Sequence, residues 1–334
     1  MGVFVSGSSG FIGLTVCEAL LARGESVVGY DLAPPPPFAE AIFARLPGRF
    51  QWIAGDATHE DALTDALATS GADRMLILAA VTADAQRERT APRTVIDVNV
   101  GGVASAMTAA AATGIRRIVY LGSGSAYGAS GRGAAPLDEA TTPLRPEGLY
   151  GISKRAGEAV ALRLAELCGL DLVVGRLGTC FGPWEYATSA RDTPSAPFQV
   201  LRRAARGEEV VLPRAHPRDW FYGRDAAAAI LALMDTPRLP HAIYNLSAGF
   251  IWSLADFCRA LALRRPDMTW RFAQPSEAGN VNLYMPYDRA PMANGRLRAD
   301  TGFVPHHDLP AALDAYLAWL DTAGAHWLTR ETAP

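Results

Sequence analysis

A tyrosine and a lysine four residues apart, Tyr150 and Lys154, hold the chemistry that this sequence offers most plainly. On a helix, residues at that spacing share a face, so the phenol and the ammonium project to the same side. An unperturbed phenol titrates near about 10, too high for acid–base work at neutral pH. A cation held beside it favours the phenolate and brings its pKa into a useful range. The pair follows a loop containing Pro143, Pro146 and Gly148 and opens a run from Arg155 to Cys168. In that run Ala156, Ala159, Val160, Leu162, Leu164 and Leu167 make an apolar stripe of helical spacing. Taken alone, Tyr-x-x-x-Lys fits a surface helix equally well, and the elements around it decide its meaning.

The N-terminal stretch supplies the first of those elements. A β-rich run, Val3-Phe4-Val5, leads into Gly7-Ser8-Ser9-Gly10-Phe11-Ile12-Gly13. A helical pattern follows through Leu14, Val16, Ala19, Leu20 and Leu21, and a second strand, Ser26 to Tyr30, finishes at Asp31. Glycines between a strand and a helix, with an acidic residue closing the next strand, form a dinucleotide fingerprint in its required context. Gly7, Gly10 and Gly13 permit the tight turn, and the backbone of Gly10, Phe11 and Ile12 faces a pyrophosphate at the positive end of the helix. Asp31 can accept hydrogen bonds from both ribose hydroxyls of the adenosine half. Leu32 and Ala33 supply no arginine for a 2′-phosphate, so the expected cofactor is NAD.

Strands recur at Phe50–Ile53, Met75–Ala79, Ile118–Leu121 and Leu172–Arg176, with helical segments between them. This alternation predicts an α/β fold, a doubly wound parallel sheet covered on both faces, with ligands at the carboxyl ends of the strands. Asp56 and Ala57, Ala79 and Ala80, Ser123, and Gly178-Thr179 fall at those ends. Ala33-Pro34-Pro35-Pro36-Pro37 reads as a stiff surface excursion. After Gly182-Pro183-Trp184 the regularity drops. A helix is expected from Phe198 to Arg206, a strand at Glu209–Leu212, a helix from Asp225 to Met234 and a strand at Ile243–Leu246. Residues 1–177 would then form the dinucleotide-binding domain, with 216–248 returning to it. Most of 178–334, with two further helices, would build a smaller C-terminal substrate-binding lobe.

Nearly half the residues are hydrophobic (49%) and the formal charge is −3, a composition that buries a core and gives no general pull toward nucleic acid or anionic membrane. A strand beginning at Val3 leaves no room for a signal peptide, and no apolar run is seen to approach the roughly 18 residues that span a bilayer. Cys17, Cys168, Cys180 and Cys258 show no ligand spacing, which suits a reduced, cytoplasmic protein. His216 falls near the expected cleft, and His306-His307 has no third ligand in view. No metal is expected.

Together these residues resemble the extended short-chain dehydrogenases/reductases, the group of NAD-dependent epimerases and dehydratases built on a Rossmann domain. The resemblance covers nearly the whole chain. It rests on Gly7-x-x-Gly10-x-x-Gly13, Gly55-Asp56, Asn99-Val100-x-Gly102, Ser123-x-x-x-Tyr127-Gly128, Tyr150-x-x-x-Lys154, Arg176 with Gly182-Pro183, and Arg218-Asp219. It implies that Tyr150 is the acid/base, that Lys154 tunes it and holds the nicotinamide ribose, and that Ser123 bonds the reacting oxygen. Asp56 and Ala57 would meet the adenine, and Asn99 would tie the central helix to its neighbouring strand. Dehydratases and decarboxylases of the group resemble one another in carrying carboxylates where this chain has Gly124 and Ser125, so hydride transfer alone remains, as dehydrogenase, reductase or epimerase. Ser125, Thr179 and Arg218 are the expected substrate contacts, Arg218 alternatively pairing with Asp219 or Asp225. Thr179 stands where nucleotide-sugar enzymes typically have Asn, and Leu212–Pro217 is shorter than their nucleotide-packing segment. A nucleotide-sugar 4-epimerase is one alternative, and a non-catalytic dinucleotide sensor is another. A homodimer through the helices containing residues 99–112 and 155–168 is expected by resemblance only.

Overall fold

The computed structural model describes residues 2–324 and 326–329. Among them seven strands form one parallel sheet: β1 (Gly2–Ser6), β2 (Ser26–Asp31), β3 (Arg49–Ala54), β4 (Arg74–Ile77), β5 (Arg117–Ser123), β6 (Leu172–Leu177) and β7 (Ile243–Leu246). Their order is β7-β6-β5-β4-β1-β2-β3, so the sheet winds outward in two directions from the boundary between β1 and β4. The last strand returns to the sheet from far along the chain, pairing with β6 in the register Ile243↔Val174 to Leu246↔Leu177.

Successive side chains of a strand point to opposite faces, and here both faces are apolar. Val3, Val5, Leu76, Val119 and Val173 enter one core together with the helices Phe11–Ala22 and Gly223–Asp235. Phe4, Met75, Ile77, Ile118 and Val174 enter the other, below the helices Glu60–Ser70, Gly102–Thr113 and Leu149–Cys168. The last of these starts earlier than its apolar stripe suggested. Leu149 is its first residue, so Tyr150 and Lys154 both lie in its opening turns at the carboxyl end of the sheet.

Beyond β6 the chain builds smaller pairings. Thr179–Phe181 lies parallel to Trp220–Tyr222, Pro217–Arg218 antiparallel to Trp252–Ser253, and Val210–Leu212 parallel to Trp270–Phe272. The residues after β7 form four described helices rather than two: Leu254–Arg264, Gly295–Thr301, Leu309–Ala323 and His326–Thr329. Their aromatic side chains explain a second departure. Trp319 and Trp327 meet Phe38 and the fully buried Trp184, whose Nε1 donates to Glu18 Oε2 at 2.8 Å. Trp184 is thus packing, and the proline run beside Phe38 is no mere surface excursion: Pro35 and Pro36 are buried and Pro37 opens the helix Pro37–Phe43.

One expectation about apolar runs is overturned. The continuous helical run Pro92–Thr113 is long and apolar enough to cross a membrane by length and composition, with a mean hydropathy of 1.4. Its valines, Ile96 and alanines carry that value, and Val103, Ala106, Met107, Ala109 and Ala110 are buried on the sheet. It is a core helix with half of its apolar window buried.

Candidate active site

The region expected to meet the cofactor starts at the turn after β1. Gly7 has φ +75°, and a Cβ there would lie 2.6 Å from the backbone nitrogen of Ala79. A Cβ on Gly13 would meet the Gly7 carbonyl oxygen at 2.1 Å. The first turn of Phe11–Ala22 has no side-chain cap, so its N–H groups remain directed at the cleft. Asp31 ends β2 and accepts the Ser9 N–H through Oδ2 at 2.9 Å. Burial pushes its carboxyl pKa up, and the N–H groups of Ser9, Ala33 and Leu32 hold it back. On the other side, Asp56 Oδ1 closes a local turn with Thr58 N and Oγ1, and Ala57 packs against Gly102. Ala79 and Ala80 are half-buried beside Gly7. Gly7, Gly10, Phe11, Ile12, Gly13, Asp31, Asp56, Ala57, Ala79 and Ala80, expected from the sequence to meet the cofactor, therefore lie at or just beyond the carboxyl ends of β1 to β4.

Tyr150 and Lys154 lie further along the same end of the sheet. Ser123 ends β5, accepts Ser125 N–H at 3.1 Å, and its hydroxyl favours the ionised form of the Tyr150 phenol. Lys154 is buried, with Nζ 4.5 Å from the centre of the Tyr120 ring. Burial depresses its pKa to about 7, and Glu158 one turn further on pulls it upward. Burial also raises the Tyr150 phenol above its ordinary value. The groups that favour its ionised form are the Ser123 hydroxyl and then the charge of Arg191. Asn99 sits on a π-helical turn, Asp97–Gly101, where it exchanges two hydrogen bonds with Val81 at 2.8 and 2.9 Å. It also donates to Ser153 Oγ at 2.9 Å, so it joins the loop after β4 to the Tyr150 helix.

Glu158, Tyr120 and Arg191 escaped the sequence reading. Glu158 had a signal, since it stands four residues after Lys154 on the same face. Arg191 had none. It belongs to the irregular segment after Trp184, which is tied across the groove. Tyr186 donates to the Ser9 carbonyl at 2.6 Å, Thr82 N–H to the Ala190 carbonyl at 2.8 Å, and Arg87 forks onto Asp192. Arg191 itself pairs with the fully buried Glu185 at 2.9 Å and lies 5.4 Å from the Phe11 ring centre.

Beyond Ser123 lie the residues expected to contact a substrate. Thr179 Oγ1 accepts from Arg218 Nη1 at 2.9 Å, so the threonine positions the arginine. Neither alternative partner holds Arg218. Asp219 accepts from Arg289 Nη2 at 3.1 Å, and Asp225 accepts from His307 Nδ1 at 2.8 Å. Arg289 thus joins Arg218 in one buried cluster, with His216 next to it. No group of His, Cys, Asp and Glu suited to a metal occurs among the described residues.

Comparison with known proteins gives the chain its family. The family described as NAD dependent epimerase/dehydratase matches residues 3–247. Sterol demethylase protein B of Methylococcus capsulatus is 29% identical over 237 residues, 70% of this chain and 66% of that protein. UDP-glucuronate 4-epimerase 1 of Arabidopsis thaliana is 24% identical over 344 residues, 96% of this chain and 76% of its own length. In fold, UDP-glucose 4-epimerase of Thermotoga maritima matches with a TM-score of 0.80 at 19% identity, covering 97% of this chain and 99% of that one. With the family match running through the sheet from β1 to β7, the chain belongs to the NAD dependent epimerase/dehydratase family.

Proposed function

We propose that this protein is an NAD-dependent dehydrogenase or epimerase acting at a secondary alcohol or carbonyl of a sugar or sugar derivative, with Tyr150 as the acid/base. The observation that carries this reading is the meeting of the Tyr150 phenol with Ser123, one helical turn from the buried ammonium of Lys154. The groove fits the cofactor: uncapped N–H groups face the pyrophosphate position, and Asp31 stands at the ribose position. Gly7, Gly10, Phe11, Ile12 and Gly13 would hold the pyrophosphate, and Asp56, Ala57, Ala79 and Ala80 would flank the adenosine half. NAD, when bound, supplies the carbon that accepts hydride and a positively charged ring that favours the phenolate.

The remaining steps belong to the chain's own residues. Ser123 donates to the reacting oxygen and orients the hydroxyl toward Tyr150. Tyr150 takes the hydroxyl proton as the alcohol is oxidised and returns it in the reverse direction. Lys154 holds the nicotinamide ribose and balances the phenolate. A dehydrogenase would release the oxidised product, whereas an epimerase would turn the keto intermediate and reduce its other face. The names of the relatives range from a sterol demethylase component to nucleotide-sugar epimerases, so the substrate is argued from the pocket: Ser125, Thr179 and Arg218. A nucleotide-sugar 4-epimerase is the second reading, favoured by the likeness of fold to UDP-glucose 4-epimerase. Turnover with sugars, sugar acids and nucleotide sugars, compared between wild type and Tyr150→Phe, tests the reading.

A homodimer belongs to the same proposal. Ile96, Ile152 and Leu167 are large apolar side chains exposed on the helical runs that would form the interface. The four free thiols support a reducing, cytoplasmic setting.

A further inference from the structure

Three guanidinium groups, two carboxylates and one imidazole meet beyond the carboxyl ends of β5 and β6. Arg218 is 5% exposed and commits one nitrogen, Nη1, to Thr179, leaving Nε and Nη2 buried without a partner among the described residues. Arg289 is 7% exposed, gives Nη2 to Asp219 and leaves Nε in the same condition. His216 is fully buried, with Nδ1 2.8 Å from Asp288 Oδ1 and Nε2 unpartnered. Buried polar groups are nearly always satisfied, and charged ones are the most costly to leave unmade. Four such atoms on neighbouring residues form a cluster that a hydrogen-bonding ligand would satisfy.

The position of the cluster relates it to the chemistry. A Cβ placed on Gly124 would lie 2.6 Å from Arg289 Nη1, so this guanidinium sits against the residue that follows Ser123. Thr179 stands two residues after Leu177, the register partner of Ser123. Arg289 therefore lies against the residue next to Ser123, and Arg218 is tied to the strand that continues from the register partner of Ser123. Where the dehydratases that this chain resembles carry a carboxylate, the present site has a cation.

Charge limits what the ligand is. Arg214 is taken by Asp288 at 2.8 Å and by the Met285 and Tyr287 carbonyls, and Arg289 by Asp219. Arg218 has no carboxylate of its own, so the cluster carries one uncompensated positive charge. Burial and then the neighbouring charge of Arg289 push the Arg218 guanidinium down to about 10, still protonated at neutral pH. His216 is neutral there, held down to about 4 chiefly by burial and next by Arg218. With its Nδ1–H directed to Asp288, its Nε2 offers a lone pair and can only accept.

We propose that Arg218 and Arg289 receive a single carboxylate of the substrate while His216 accepts a hydrogen bond from a hydroxyl beside it, so that the substrate is a sugar acid that reacts close to its acid group. The proposal rests on the hydride-transfer reading and names its substrate class. One carboxylate matches one positive charge and the planar fork of a guanidinium. A diphosphate brings more charge than the cluster balances.

Calorimetry on the NAD-loaded protein tests this with D-glucuronate, D-galacturonate, D-gluconate, glucose 6-phosphate and UDP as probes. At least one sugar acid should bind, and Arg218→Met should weaken it by about tenfold or more, the loss of one charge-assisted contact. Arg289→Lys, which keeps the charge but loses the fork, should weaken it as well. NAD affinity and melting temperature should stay unchanged in both variants. Binding of UDP or of glucose 6-phosphate alone, binding of no probe, or acid binding that neither variant alters would each overturn the proposal. NADH absorbance together with chromatography of the recovered acid separates the two readings, because an epimerase returns its hydride and leaves no net NADH. An acid that binds through Arg218 but is neither oxidised nor epimerised contradicts the hydride-transfer reading and leaves the acid subsite standing.

Discussion

Glu158 grips Arg176 through two hydrogen bonds of 2.8 Å, one helical turn beyond Lys154. Both partners are buried, and the network continues from Arg176 Nη1 to the Tyr127 hydroxyl at 3.0 Å and from there to Asn245 on β7 at 2.9 Å. The helix that carries Tyr150 is thereby fixed to β6, β7 and the turn after β5 at once. Glu158→Gln leaves Arg176 charged and uncompensated in this interior. The expected loss is about 3–5 kcal/mol, the usual penalty for removing one partner of a buried pair. Urea denaturation of the two proteins measures it, and a loss below about 1 kcal/mol would place the pair among ordinary surface bridges.

Tyr150→Phe removes the proposed proton carrier and leaves the helix and the cofactor groove in place. Turnover should fall by roughly two to four orders of magnitude, the range associated with losing general acid–base assistance. NAD affinity should barely move, because the phenyl ring keeps the packing. A variant of near-normal activity would assign the proton to another group.

Much of this arrangement is legible in the sequence because it depends on local patterns. Val3-Phe4-Val5 before the glycines, and Asp31 at the end of the next strand, place the cofactor groove through one βαβ unit. The Tyr150 helix follows from a stripe of spacing, although its start at Leu149 is hidden by the Pro- and Gly-rich loop before it. What stays illegible is set by contacts between distant, irregular segments. Pro35 and Pro36 are buried, and beside them Trp319 and Trp327, nearly three hundred residues away, close over Phe38. Arg191 reaches the groove from a loop with no periodicity, and Arg289 meets Asp219 across 70 residues. Arg218 was legible as a residue type, but its partner was not, since Thr179 reaches it only through the pairing of short strands beyond β6.

Asp31 should set cofactor choice. Its carboxylate stays fixed by the Ser9 N–H at the end of β2. A 2′-phosphate at the neighbouring ribose would meet that charge at close range, where two unit charges about 4 Å apart repel by roughly 4 kcal/mol at a surface dielectric. NAD should bind at least tenfold more tightly than NADP. Asp31→Asn keeps the hydrogen-bonding shape and should narrow the ratio. Fluorescence titration of both cofactors checks it, and tighter NADP binding by the wild type would contradict the assignment.

Lys154 should be a liability for stability, because burial lowers its pKa from 10.5 in the unfolded chain to about 7 in the folded one. Below pH 7 both states carry the proton, and the folded state bears the full penalty of a buried ammonium. From pH 7 to 10.5 the unfolded chain binds more protons than the folded one, so this penalty fades as pH rises and vanishes above 10.5. Each unit of displacement is worth about 1.4 kcal/mol, which puts the low-pH penalty at a few kcal/mol. Lys154→Met removes the charge and retains a flexible apolar chain over the Tyr120 ring. Glu158 is not orphaned by the change, since Arg176 already holds both of its oxygens. The variant should therefore be more stable than the wild type at pH 6 in the absence of NAD, with the difference shrinking toward pH 10. Denaturant melts across that range read the effect directly. A variant less stable than the wild type at pH 6, or a difference that grows with pH, would show that the folded protein gains from the ammonium even without its cofactor.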